Sequence, residues 1–211
     1  MSARENILRR LRAAQPSPSI KPTQDSDIEI EKEALIAQFI LNAEKEHAEV
    51  IDIRSSTLEE QIIKICEQKN IKHLMLPPED FPMLKSWQGG PSITRFNQPI
   101  EVLKNALFNT IDAGITGADC AIAETGTLIQ SDAIRTPRTL SLVPPIHICV
   151  LDVNQIYSTM QAVLSAMKMD SILPTNLIFI TGPSKTSDIQ QTLAYGAHGP
   201  RELIILIKDE K

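Results

Sequence analysis

Residues 177–207 constrain the fold most, because two apolar, β-favouring runs enclose a polar stretch that contains Gly, Pro and His. The first run, 177–180, ends just before Gly182 and Pro183, which break a strand and redirect the chain. The second run, 203–207, reads as another strand. Chemistry or ligand binding is therefore expected close to this segment.

The polar stretch between the two runs predicts a helix. Ser187 can cap its start, Asp188 suits the positive end of the helix dipole, and Gln190 stands three residues after the cap. Gly196 is a natural helix end. The segment is thus expected to fold as strand, loop, helix, loop and strand.

The same alternation runs through the rest of the chain. Apolar residues recur at helical spacing in 28–43 and 58–70, and each of these stretches is followed by a strand, at 50–53 and 71–76. Residues 79–110 are predicted to be irregular, with loops and short elements. Helices of crossover length predict an α/β fold with three α/β/α layers and a mostly parallel sheet.

The chain of 211 residues is expected to form one α/β domain with an appended arm. The arm, residues 1–27, combines a basic amphipathic helix with a Pro/Ser-rich linker, and the domain spans 28–211. The arm suits docking to a neighbouring subunit, and a frayed terminus is the plainer alternative.

Composition excludes several classes of protein. The net charge of -5 argues against a general nucleic-acid binder. The sequence has neither an apolar run long enough to span a membrane nor a secretory signal, which predicts a cytoplasmic protein.

The three cysteines stand singly, without iron–sulfur or zinc spacing, so no metal site is predicted. Cys66 and Cys149 are expected to be small buried hydrophobes, whereas Cys120 lies close to a possible site. Neither a dinucleotide fingerprint nor a P-loop is present, so no cofactor is predicted in this chain.

A second informative stretch, 112–132, is dominated by small residues that allow close backbone approach. Within it, Glu124-Thr125-Gly126-Thr127 predicts a tight connection with hydroxyls, backbone N–H groups and a carboxylate. Composition alone favours a structural hairpin turn over a ligand site at this point.

Four separated blocks of the sequence resemble the ordered signature of the lactate utilization protein C family, also called the LUD domain. They are 121–128, 142–147, 181–189 and 196–200. The similarity extends over roughly residues 28–211, and the opening residues 4–8 are also similar to that family's N-terminal helix.

This resemblance implies the fold shared by CoA transferases, ribose-5-phosphate isomerases and cyclo-ligases, the NagB/RpiA/CoA transferase-like fold. It also implies a role in growth on L-lactate, as a non-redox subunit of a lactate-oxidising enzyme system whose partner subunits carry the iron–sulfur clusters. The chain lacks the cysteine-rich tail of the cluster-bearing partner, so it is not expected to hold a cluster itself.

Ligands of open α/β sheets bind at the carboxyl ends of the strands. The turns 124–127 and 184–188 are expected to converge there and to bind a small anion. Glu124 and His198 are the candidate catalytic groups. The candidate ligand-binding residues are Thr125, Gly126, Thr127, Arg138, Thr181, Gly182, Ser184, Lys185 and Thr186.

Structural alternatives stand beside each of the charged candidates. Lys185 can pair with Asp188, and Arg138 can pair with Asp132. His198 can brace its turn through a backbone carbonyl, which is the better reading from sequence alone. His147 is expected to be a hydrogen-bonded residue of the core or of a strand edge.

Two other functions remain open from the sequence. One is a stand-alone enzyme of the cyclo-ligase or CoA-transferase type that uses Glu124 or His198. The other is a metabolite-binding sensor that does not transform its ligand.

Overall fold

The computed structural model describes residues 3–13, 31–78, 90–131, 137–167, 174, 176–187, 193–196 and 198–209. For 11–13, 186–187 and 193–195 it describes the backbone alone. The helices are α1 (Ala3–Ala13), α2 (Lys32–Lys45), α3 (Leu58–Lys69), α4 (Ile100–Asn109), α5 (Thr139–Leu142) and α6 (Met160–Ala166). The strands are β1 (Glu49–Asp52), β2 (His73–Leu76), β3 (Ser92–Arg95), β4 (Ala113–Gly117), β5 (Cys120–Ile122), β6 (Thr127–Ser131), β7 (Ile146–Asp152), β8 (Ile156–Tyr157), β9 (Leu177–Ile180), β10 (Lys185–Ser187), β11 (Leu193–Tyr195) and β12 (Glu202–Lys208).

A six-stranded sheet forms the centre of the domain, in the order β1-β12-β7-β4-β2-β3. Every neighbouring pair in it is parallel, as the crossover helices predicted. Two interior strands, β7 and β12, are apolar along almost their whole length because both faces of the sheet are covered. The α/β fold with a mostly parallel sheet is therefore confirmed.

The alternation of side chains along each strand divides the core between these two faces. Ile148 and Ile204 belong to the cluster on one face, where α3 contributes Ile62 and Ile65. Cys149, Leu151, Ile205 and Ile207 belong to the other face, which α2 covers with Ile36 and Phe39. Thr57 caps α3 through a capping box with Glu60, which fixes where that helix begins.

A second sheet has four strands in the order β8-β5-β6-β9. It lies on the α2 side of the domain, because Ala121 of β5 and Leu128 of β6 belong to the same core cluster as the buried residues of α2. The strands β5 and β6 form an antiparallel hairpin around residues 123–126, so the hairpin reading of this stretch is confirmed. β9 pairs antiparallel with β6. The sequence predicted neither this sheet nor β8.

Residues 79–110 were expected to form loops and short elements, and the described part of this stretch contains β3 and α4, which buries Leu103 and Leu107 four residues apart. One local prediction is wrong. The predicted helix after Ser187 is instead an antiparallel hairpin, in which β10 pairs with β11 in a register that joins Ser187 to Leu193. Ser187 and residues 193–195 are consequently strand residues, and Asp188 and Gln190 lie outside the described residues.

No helix within the described parts of the chain is long and apolar enough to cross a membrane. Helix α1 confirms the predicted helical start of the arm, and its residues 3–10 are all exposed. The linker that follows it lies outside the described residues.

Candidate functional site

A cavity of about 180 Å³ lies between the large sheet and β9. Its inner wall includes His147 of β7 and Leu203 of β12, which are register partners near the amino ends of these parallel strands. The end of β9 with the loop to Ser184 forms a second wall. The cavity therefore opens near the amino ends of the large sheet, not at the carboxyl ends where the sequence argument placed the site.

The third wall comes from α5, and Gly114 allows it to approach. Gly114 is the register partner of His147 on β4, so both residues face the same side of the sheet. A Cβ atom at position 114 would collide with the carbonyl oxygen of Leu140. The close approach brings Ser141 and Leu142 to the edge of the cavity.

Two loops that the sequence singled out meet at the cavity mouth. The Ser184 N–H donates to the Pro200 carbonyl over 2.8 Å, and the Gly196 N–H donates to the Ser184 carbonyl over 3.0 Å. A Cβ atom on Gly199 would lie 3.1 Å from Cβ of Ser184, so a glycine lets the two loops pack closely. His198 lies on this rim and is exposed.

Three buried polar side chains extend from the cavity into the space between the sheets, and we call them the His147 network: Thr116, Gln130 and His147. Nε2 of His147 lies 2.7 Å from Oγ1 of Thr116. Nε2 of Gln130 donates to the same hydroxyl over 2.6 Å and to the Gly117 carbonyl over 2.9 Å. All three side chains are buried.

The His147 network has two open positions. Nδ1 of His147 and Oε1 of Gln130 are buried without a hydrogen-bond partner in the described structure. The bond to the Gly117 carbonyl fixes which end of the Gln130 amide donates. Thr116 therefore accepts from Gln130, and the donor in the bond between its hydroxyl and Nε2 of His147 depends on the tautomer of the ring.

Burial lowers the pKa of His147 to about 3, so the ring is neutral at physiological pH. The expectation that His147 belongs to the core is confirmed, but the expectation that its polar atoms are all satisfied is wrong. A histidine inside a strand that is otherwise apolar and covered on both faces is the sequence signal that was available.

The 124–127 turn packs against the end of α2. Gly126 has φ of 64°, and a Cβ atom there would overlap the backbone of Ala43. The Asn42 side-chain amide donates to the Ala123 and Glu124 carbonyls over 2.8 and 3.0 Å. Glu124 and Thr125 are exposed, and none of the four turn residues lines the cavity.

Three threonine hydroxyls link this turn to the end of β9, and we call them the threonine chain: Thr125, Thr127 and Thr181. Oγ1 of Thr127 lies 2.7 Å from Oγ1 of Thr125 and 2.7 Å from Oγ1 of Thr181. Gly182 packs against the Glu46 carbonyl at the same end of α2. The two predicted turns are thus neighbours, as expected, but only the 181–184 loop reaches the cavity.

The predicted cations lie outside the cavity wall. Lys185 binds Glu46, with 2.9 Å between Nζ and Oε2, and this contact lowers the pKa of Glu46. Arg138 is exposed at the start of α5, where its carbonyl accepts from Ser141. The backbone of Thr186 pairs with Ala194 in the hairpin. The alternative partners, Asp188 and Asp132, lie outside the described residues.

The three cysteines are buried in three different core clusters. Burial raises the pKa of the Cys120 thiol to about 11 and those of Cys66 and Cys149 to about 12. All three are therefore protonated thiols, poor nucleophiles and poor metal ligands. Among the described residues, no three His, Cys, Asp or Glu side chains are grouped so that they could hold a metal ion.

The chain matches the family model of the LUD domain over residues 36–207. An uncharacterised protein of Neisseria meningitidis is 37% identical over 98% of this chain and 93% of its own length. A lactate utilization protein C of Deinococcus radiodurans is 38% identical over 50% of each protein. Another protein of that name, from Exiguobacterium, is 28% identical over 84% of this chain and 80% of its own length.

A solved structure supports the fold. The crystal structure of a DUF162 family protein from Deinococcus radiodurans superimposes with a TM-score of 0.65, at 24% identity, over 85% of this chain and 99% of that one. On the extent of the family match, the chain belongs to the LUD domain family.

Proposed function

We propose that this protein is a non-redox subunit of an L-lactate-oxidising enzyme system whose partner subunits carry iron–sulfur clusters, and that it acts in the cytoplasm. One observation carries the proposal: proteins named lactate utilization protein C align with this chain over as much as 93% of its length. The name concerns those relatives, and the proposal extends their role to this protein.

The chemistry of the described residues supports a non-redox role. Each cysteine is a buried thiol whose pKa is raised to about 11 or 12, and each lies in a separate core cluster. Because iron–sulfur clusters bind thiolates that converge on one point, electron transfer is assigned to the partners.

Growth of a deletion strain tests the role. Without the gene, growth on L-lactate as the sole carbon source should stop, whereas growth on another carbon source should continue at the wild-type rate. Expression of the intact chain from a plasmid should restore growth on L-lactate. A deletion strain that grows normally on L-lactate would overturn the proposal.

Copurification tests the assembly. Affinity purification of the tagged protein from cells grown on L-lactate should recover partner subunits together with the visible absorption of iron–sulfur clusters. The tagged protein expressed alone should be colourless. Recovery of a colourless, single-component protein from lactate-grown cells would contradict membership of the complex.

One observation favours a second candidate function, a metabolite sensor without partners: the cavity beside His147 has the form of a small-molecule site. In that case the isolated protein would bind a metabolite saturably without turnover, and copurification from lactate-grown cells would recover no partner.

A further inference from the structure

An open nitrogen in the protein interior requires an explanation. More than nine in ten buried polar groups in proteins have a hydrogen-bond partner, because an unpaired one destabilises the fold. Nδ1 of His147 has none among the described residues, although the side chain is wholly buried. The same residue lines the cavity between β7, β12 and β9.

The cavity has the size of a very small organic molecule. Its volume of about 180 Å³ equals that of roughly six water molecules, and it lies below the ~300 Å³ typical of drug-sized sites. Lactate and pyruvate each have six non-hydrogen atoms.

The lining combines apolar walls with a few hydroxyl groups. Ile180, Pro183 and Leu203 supply apolar surface, while Ser141 and Ser184 add hydroxyls. None of the described lining residues is a Lys, Arg, Asp or Glu. A ligand's charged group is therefore disfavoured deep in the cavity, since no opposite charge would compensate for its desolvation.

The mouth is different from the interior. His198 is exposed on one side of it, and Leu142 and Phe179 keep 42% and 41% of their surface exposed on the others. A charged group at the mouth retains water and meets an imidazole that can donate a hydrogen bond.

From these observations we propose that the cavity binds a short 2-hydroxy or 2-oxo carboxylate of the size of L-lactate or pyruvate. A hydroxyl of the ligand hydrogen-bonds Nδ1 of His147 in either tautomer of the ring, and a keto oxygen accepts from Nδ1 in the tautomer that carries the proton there. The methyl group packs on Leu203 and Ile180, and the carboxylate stays at the mouth beside His198. The choice of this ligand class rests on the proposed role in lactate metabolism, whereas the site itself rests on the geometry.

The imidazole of His147 offers a direct measurement. Two-bond ¹H–¹⁵N spectra of the full chain, labelled in its histidines, report the tautomer and the hydrogen bonding of each ring nitrogen. L-Lactate or pyruvate should shift the Nδ1 signal of His147 saturably, and propane-1,2-diol, which lacks the carboxylate, should do so more weakly. A ring signal that no ligand changes would mean that Nδ1 binds only water, and the proposal would be overturned.

Two variants separate binding from folding. His147→Gln places its amide near the position of Nε2, so it keeps a partner for Thr116 and removes the group at Nδ1; ligand affinity should fall about tenfold. Ser184→Leu fills the cavity without altering the His147 network and should abolish binding. Ser55→Leu, on the exposed loop after β1, is the matched control and should bind like the wild type. Normal affinity in a folded Ser184→Leu protein would overturn the site.

Growth assays distinguish the failure of this site from the failure of the proposed function. If the deletion strain cannot use L-lactate but folded His147→Gln and Ser184→Leu proteins restore growth fully, the role stands and the cavity is not needed for it. If the deletion strain grows normally while the purified protein binds lactate, the site stands and the role falls.

Discussion

The threonine chain and the His147 network are both polar clusters between packed elements, but they differ in whether their hydrogen bonds are complete. Each hydroxyl of the threonine chain has another hydroxyl as a partner at 2.7 Å, and the turn that carries two of them is anchored on α2. The His147 network leaves Nδ1 and Oε1 of Gln130 open. A completed cluster stabilises the fold, whereas an incomplete one beside a cavity has capacity left for a ligand.

The largest expected effect is a loss of stability in the turn that carries two residues of the threonine chain. Gly126→Ala should destabilise the protein by about 4 kcal/mol, because φ is positive there and the new methyl group would overlap the Ala43 backbone. Urea denaturation measures the loss. Thr125→Ala, which removes one hydroxyl of the same turn, should cost about 1 kcal/mol. Equal stabilities for the two variants would show that the turn is not docked as described.

The pH dependence of stability tests the His147 network. The pKa of His147 is about 3 in the folded protein against 6.5 in the unfolded chain, so between these values the unfolded chain binds the extra proton. Stability is therefore lost as the pH falls below about 6.5, by about 2 kcal/mol between pH 7 and pH 5. Urea denaturation should show this loss for the wild type and a smaller one for His147→Gln. Parallel pH profiles would mean that His147 is not buried in its neutral form.

A double-mutant cycle tests the link between the turn and β9. Thr127→Val and Thr181→Val should each cost about 1 kcal/mol, and the double variant should cost less than their sum because both remove the same hydrogen bond. Additive losses would show that the two hydroxyls do not interact.

The smallest effect concerns the exposed ion pair of Lys185 with Glu46. Lys185→Gln should lower stability slightly at low ionic strength, and the difference should vanish in 1 M NaCl, since salt screens exposed charges. A loss that persists in high salt would point to a role for Lys185 beyond this pair.

Four strands of the central sheet, β1, β2, β7 and β12, were predictable because they carry their own signal, whereas β3 and β4 were not. Runs such as 203–207 are apolar on successive residues, as expected for a strand covered on both faces. The hairpin of β10 and β11 was not predicted, because Ser187 and Asp188 form a good local helix-capping signal and the polar residues that follow β9 have no alternating apolar pattern to indicate a strand.

The candidate site, like the fold, was predictable from the sequence only in part. The 124–127 turn and the loop after β9 were correctly expected to lie together, and Thr127 bonds Thr181 between them. The loops 181–184 and 198–200 also meet, because they flank the hairpin of β10 and β11, which the sequence did not predict. Their position near the amino ends of the large sheet follows from β9 pairing with β6 in a second sheet, which the sequence did not indicate. The open nitrogen of His147 depends on which neighbours reach it from other strands, and single-residue patterns contain no such information.

The size of the cavity depends on the absence of a Cβ atom at Gly114. Because α5 rests directly on the bare backbone of this glycine, the distance from Ser141 to the inner wall is fixed by the thickness of β4. One methyl group at position 114 would lift α5 and widen the chamber for larger ligands, at a cost in stability. Variation at this position among LUD domains would thus be a simple means of changing ligand size without altering any residue that touches the ligand.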